Sequence, residues 1–210
     1  MNKIVFYLLL VLMTAPLRAQ DIATAFMAMP DECIPQLEKG AKKQLVDFYL
    51  SDKTAQVPHK LGGNVILKKL TSNYLQLQMS DRSEKEYKLL PLVNKSNVIC
   101  LVETVKGPVA DSRISFYSTD WKSVDSADLF TPVQSSWFIR EDADTTLFKY
   151  QESVSHLDLD LFKYELNPGD NTLKQIYTTP QYLDKETRDN LKPFLKEEPK
   201  VFQWNQSRYE

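Results

Sequence analysis

Glycine is scarce in this chain. Five occur in 210 residues, where average usage near 7% gives about fifteen. Gly40, Gly107 and Gly169 stand alone and only Gly62 and Gly63 adjoin, so neither a dinucleotide fingerprint nor a P-loop can be written anywhere. Cysteine and histidine number two each. A two-cysteine, two-histidine zinc site would consume all of Cys33, His59, Cys100 and His156, at spacings unlike any finger or ribbon. No metal and no cofactor is therefore expected. Charge of neither sign dominates, with 26 basic against 28 acidic residues and a net charge of −2. Nucleic acid and anionic lipid both call for a concentrated basic patch, and neither is expected as a partner. Long apolar runs are absent but for Ile4 to Met13, which is about half of the ~20 residues a bilayer requires.

What that run does supply is a secretory signal. Residues 1–19 carry Lys3 in a short basic region, the apolar stretch, a break at Pro16 and Ala19 before Gln20, the order of a cleavable leader. Cleavage is expected after Ala19. Loss of Lys3 and Arg18 leaves 24 basic residues against 28 acidic, a net charge of −4. The first cysteine after the run is Cys33, too late for a lipid anchor at the mature N-terminus. The mature chain, 20–210, is expected to be exported and soluble, with no transmembrane segment, in a periplasmic or cell-surface setting.

Periodicity then predicts helices followed by strands. Ile22, Ala25, Phe26 and Met29 fall at the spacing of one helical face. A second helix is expected from Pro35 to about Leu50, with Ile34, Leu37, Ala41, Leu45 and Phe48 inward, Lys42 among the polar positions, and Gly40 tolerated in the middle. From Gly63 the pattern alternates, predicting five antiparallel strands at Asn64–Leu70, Tyr74–Ser80, Lys85–Val93, Val98–Val105 and Arg113–Thr119. Residues 120–151 read as loops with one short helix and one further strand. Leu157, Leu159 and Leu161, alternating with Asp158 and Asp160, predict a half-buried strand, and Asn167-Pro168-Gly169-Asp170 a turn into Thr172–Thr178. A helix at Leu183–Leu195 and a last strand with Phe202 and Trp204 on one face complete the chain. The expected fold is α+β: N-terminal helices on an antiparallel meander (20–119), then a strand, strand, helix, strand unit (120–210), all within one continuous domain.

Two stretches, AMPDECIPQLEKGAKKQLVDFYLSDK at Ala28–Lys53 and VETVKGPVADSRISFYSTDW at Val102–Trp121, resemble an exported Bacteroidales-type family carrying a domain of unknown function. The likeness continues through DLDLFKYELNPGDNTL and IYTTPQYLDKETRDNLKPFL. It implies a Gram-negative envelope protein and transfers no activity, ligand or catalytic residue.

The chemistry available from the residues is limited. If Cys33 and Cys100 paired, the bond would close a loop of 66 intervening residues and contribute about 4 kcal/mol in the chain-entropy treatment; the alternative is two separate buried thiols. Asp158 with Asp160, and Asp142 with Asp144, could bind calcium or do acid and base work, or simply face water. His59 and His156 lie in no catalytic motif, and no G-x-S-x-G elbow or cysteine-nucleophile signature occurs, so no catalytic residue is assigned. The remaining signal is aromatic: Phe116, Tyr117, Trp121, Trp137, Phe138, Phe202 and Trp204. Each of these is first a candidate for the core, where most aromatics lie; if several share an uncovered sheet face they mark an interaction site, with Phe202, Trp204 and Trp137 the candidate binding face. The function expected is that of a non-enzymatic envelope domain binding a protein, peptide or glycan. The alternatives are a hydrolase assembled from dispersed residues and a structural accessory of the envelope.

Overall fold

The structure is a computed structural model that describes residues 21–210; the expected signal peptide lies outside the described residues. Asp21 caps the first helix, α1 (Ile22–Ala28), its side chain accepting from the Thr24 amide at 2.7 Å. Ile22, Ala25 and Phe26 of α1 are wholly buried, as their spacing predicts. The second helix is shorter than expected. Residues 31–33 form a single 3-10 turn and α2 starts only at Ala41, running to Leu50. Gly40 stands immediately before it with φ +84°, a left-handed conformation that costs a side-chain-bearing residue about 1–2 kcal/mol. Gly40 is therefore a required turn rather than a tolerated helix interior. Gly40→Ala should destabilise the fold by about 1 kcal/mol, a loss urea denaturation will read; a methyl group would meet nothing within 4 Å, so the cost is that of the backbone alone.

The polar side of α2 also holds a surprise. Lys42 is buried; its ammonium donates to the Met29 carbonyl and to Asp31 Oδ1 at 2.7 Å. It thereby satisfies the end of α1, and the Lys42 pairing holds the Asp31 carboxyl below its usual range.

Seven strands follow in an antiparallel meander whose spatial order is the chain order: β1 (Gln56–Pro58), β2 (Asn64–Leu70), β3 (Tyr74–Ser80), β4 (Ser83–Pro91), β5 (Asn97–Lys106), β6 (Ala110–Ser118) and β7 (Ser123–Val124). Five match the predicted runs to within three residues. The outer two escaped the alternation because they have three and two residues; edges this short, one carrying Pro58, offer little for another chain to pair with.

Alternation divides the sheet between two cores. Val65, Leu67, Leu75, Leu77, Tyr87, Leu89, Ile99 and Leu101 pack under α1 and α2. Tyr74, Leu90, Val98, Cys100, Val102 and Phe116 face the other way. That second face is covered too. A three-stranded antiparallel sheet in the order β10-β9-β8, made of β8 (Phe162–Leu166), β9 (Thr172–Tyr177) and β10 (Lys200–Gln203), lays Tyr164, Leu166, Leu173 and Phe202 against it. The molecule is thus an α+β stack of helix, large sheet and small sheet. Three helices complete it: α3 (Phe148–Val154), α4 (Thr179–Tyr182) and α5 (Lys185–Leu191).

The strand expected at Leu157–Leu161 does not form. β8 starts at Phe162, and Leu159 is exposed. Alternation needs a ladder partner to become a strand; here Leu161 N–H donates to Thr179 Oγ1 and Thr179 Oγ1 donates to Leu159 O, so side chains replace the ladder. Of the helix expected over 183–195, residues 185–191 form α5 and 192–194 a 3-10 turn containing Pro193, and α4 is a separate turn ahead of them.

Candidate functional site

The covered second face removes the expected aromatic platform. Phe202 and Trp204 are both buried. Phe202 meets Phe130 edge-on at 5.0 Å, while Trp204 stacks on Phe116 and donates from Nε1 to the Pro91 carbonyl at 2.7 Å. Both are core residues because the small sheet, illegible as a layer in the sequence, buries the face they were expected to display. Phe116 and Phe138 are buried as well, and Trp121 closes the first core with its indole N–H on the Ala25 carbonyl at 2.8 Å. Of the three nominated residues, Trp137 alone keeps solvent access. Lys196 Nζ lies 4.5 Å and Lys200 Nζ 5.7 Å from its ring centre.

The two thiols are free and far apart in role. Cys33 packs on the helix-covered core and Cys100 in the opposite one, so the large sheet stands between them. Of the two readings left open, the structure has the two separate thiols; burial pushes the Cys100 thiol well up, which keeps it protonated and inert. Non-reducing mass spectrometry of the mature chain should find two alkylatable cysteines after unfolding, and a mass lower by two hydrogens with none would contradict this arrangement.

The carboxylate pairs divide into local duties. Arg140 grips Asp142 through two bonds of 2.8 and 2.6 Å and holds its pKa down. Asp144 accepts from the Thr146 amide and hydroxyl. Asp158 and Asp160 are exposed and on no strand. Among the described residues no group of three or more His, Cys, Asp or Glu is placed to hold a metal ion. His59 accepts at Nδ1 from the Leu61 amide at 3.0 Å. His156 lines a polar cavity of about 220 Å³ with Glu152, Ser153 and Glu186, the residue types a hydrolase needs. The only bond joining the first pair of that set is backbone to backbone, His156 N–H to Ser153 O at 3.3 Å; the hydroxyl and imidazole are not engaged as nucleophile and base.

A buried polar cluster lies where the two sheets meet. The outward N–H groups of β8 would be an open edge; instead Phe162 N–H donates to Asp111 Oδ1 (3.2 Å), Tyr164 N–H to Ser112 Oγ (3.1 Å) and Leu166 N–H to Glu86 Oε2 (3.3 Å). Tyr74 donates its hydroxyl to the other Glu86 oxygen. Burial raises the Glu86 pKa, while these two donors oppose the rise. Next along β4, Lys88 is almost wholly enclosed and donates to the Asn167 carbonyl at 2.9 Å, and burial lowers its pKa. Side chains of the large sheet thus plug the edge and clamp the turn of the small one. The cluster is a fastening, and its hydrogen bonds are occupied by the protein itself. Sequence reading missed it because Glu86 and Lys88 alternate with Tyr87 and Leu89 as solvated residues do.

A cavity of about 410 Å³ opens beside β9. Its floor is Ile176, Tyr177, Pro180 and Leu195, and its rim carries Arg188, Lys192 and Lys196 with Asp189 and Glu197. The walls are well positioned. Asp184 caps α5 by accepting from the Thr187 amide and hydroxyl. Leu195 bridges Ile139, Arg140 N–H donates to Phe194 O and Lys196 N–H to Phe138 O, both at 2.8 Å. Those bonds tie the groove to the segment bearing Trp137, and a smaller recess on that side is lined by Phe138 and Pro199. The Tyr177 hydroxyl is buried without a partner at hydrogen-bonding geometry; burial raises its pKa, with the neighbouring Thr179 hydroxyl offsetting part of the rise. No sequence signal pointed here, since Ile176 reads as a strand residue and Leu195 as the end of a helix.

Among the described residues no helix is long and apolar enough to cross a membrane. Residues 14–209 match the family model described as a protein of unknown function, DUF3256. A solved structure, of a domain of an uncharacterized protein from Porphyromonas gingivalis W83, is similar with a TM-score of 0.80 and 27% identity, over 91% of this chain and 98% of that one. No curated protein matches. The resemblance to a Bacteroidales domain of unknown function is borne out by these two likenesses.

Proposed function

The chain belongs to the DUF3256 family, and on that premise we propose that it is an exported, non-enzymatic binding domain of the cell envelope whose ligand site is the groove beside β9. The observation that carries the site is the groove itself: about 410 Å³ lies within the range of ligand pockets, and an apolar floor with a few charged groups at the rim is their usual construction. Both faces of the large sheet are already occupied, whereas the groove keeps apolar surface open to solvent. Export is supported by the leader pattern of residues 1–19. Cleavage after Ala19 keeps Asp21 and with it the cap of α1.

The reading is tested by purifying the full chain natively from envelopes, in the natural form and as Leu195→Glu, and identifying by mass spectrometry what each releases on unfolding. A ligand carried by the natural protein and missing from the variant is expected, on a chain whose N-terminal residue is Gln20. Identical cargo from both, or none, would remove the groove as the site; an intact residue 1 in the envelope fraction would remove the cleaved leader.

A further inference from the structure

The chemistry of the groove narrows what it holds. Its floor offers Ile176, Pro180 and Leu195 to an apolar body. Around that floor stand three cations whose charges are lightly committed. Arg188 is exposed and makes no ion pair among the described residues. Lys192 and Lys196 have long ion-pair contacts of 3.4 Å, to Glu197 and Glu141, whose side chains are 72% and 94% exposed, and Lys196 also rests over the Trp137 ring at 4.5 Å. Exposed pairs of this kind contribute about 0–1 kcal/mol, so an incoming anion displaces them at little cost. Cations on the large sheet are engaged differently: Lys85 with Glu103 at 2.7 Å and Lys106 with Glu84 at 2.8 Å. The acids in the groove are Asp189 and Glu197, the latter 3.4 Å from Lys192.

Resting on the reading of the groove as the ligand site, we propose that its ligand is a small amphiphilic carboxylate, an acyl chain lying on Ile176, Pro180 and Leu195 with its head group taken by Arg188 and the flanking Lys192 and Lys196. A guanidinium matches a carboxylate with two parallel N–H donors, and the open rim lets the head remain partly hydrated. A groove of about 410 Å³ suits a single short chain and not a bilayer patch or a folded partner.

The test uses decanoate as the probe, with decanol as the uncharged control and an acidic peptide alternating Leu and Glu as the competing chemistry, titrated into the mature chain and followed by backbone amide shifts and calorimetry. Decanoate should shift the Ile176 and Leu195 amides and bind at least about tenfold more tightly than decanol, the difference expected of one charge-assisted contact. Arg188→Glu, at an exposed position that leaves the fold intact, should weaken decanoate by about tenfold or more and leave decanol unchanged. Equal binding of decanoate and decanol, shifts confined to another surface, an unaltered affinity in Arg188→Glu, or binding of the peptide alone would each overturn the proposal. If Leu195→Glu strips a native cargo while decanoate does not bind, the groove survives as the site and the acyl carboxylate does not.

Discussion

Trp204→Ala should unfold at a markedly lower urea concentration than the natural protein, losing about 3–5 kcal/mol. The side chain fills the second core, stacked 6.5 Å from Phe116 and 5.1 Å from Tyr209. Its removal opens a cavity that these rings cannot collapse into, and it orphans the Pro91 carbonyl that the indole N–H now satisfies at 2.7 Å. Against a total stability of about 5–15 kcal/mol for a domain, that is a large fraction. Phe202→Ala behaves alike in kind, since Phe202 is buried against Phe130. A Trp204→Ala protein with the natural midpoint would restore these residues to the surface and revive the aromatic face as a binding platform.

The second large effect belongs to Glu86. Glu86→Ala leaves the Leu166 amide and the Tyr74 hydroxyl without their acceptor, and buried donors left unpaired cost about 1–3 kcal/mol each, so a loss of about 2–4 kcal/mol is expected after relief of the carboxylate's own desolvation. The pH dependence has the less common sign. Burial raises the folded pKa of this carboxyl above its ordinary value of 4.5, aided by the neighbouring Glu84 and Glu165 carboxylates and opposed by Tyr74 and Leu166. The folded state therefore holds the proton more tightly than the unfolded chain. Its contribution to stability is fully present below about pH 4.5 and declines as pH rises through the raised folded value. In Glu86→Gln the group cannot ionise, so the variant should gain on the natural protein as pH climbs from 4.5 to 8, as urea midpoints across that range will show. Parallel curves would mean that the carboxyl is not buried as described. Lys88, whose ammonium shares the same interface, keeps its hydrogen bonds in both proteins.

The two effects show where sequence reading succeeded and where it stopped. Leu75, Leu77 and Met79, alternating with Gln76 and Gln78, lie on a strand with one apolar face, and β2 to β6 could be read because each is long enough for period two to rise above noise. Val98, Cys100 and Val102 opposite Ile99 and Leu101 correctly marked β5 as covered on both sides. The same two-sidedness implied a second layer, yet nothing local in Phe202 or Trp204 tells whether an aromatic residue on a strand covers or is covered. Gly40 was misplaced for a related reason: Ile34, Leu37 and Ala41 keep helical spacing while the chain between them turns. Lys42, Glu86 and Lys88 look solvated because charge usually is, and only tertiary placement supplies their partners. The groove was the least legible feature, being assembled from β9, α4, α5 and the segment after it.

On the proposed reading this domain meets its ligand at the groove beside β9 and not on either face of the large sheet. Photo-crosslinking in living cells tests it most directly. A photoreactive residue is placed at Gln181, on the groove, and in a separate chain at Val93, exposed far along the sequence near the β4–β5 turn. Irradiation should yield a covalent adduct from the Gln181 chain that Leu195→Glu abolishes, and none from the Val93 chain. Adducts of equal yield from both positions, or an adduct from Val93 alone, would contradict it.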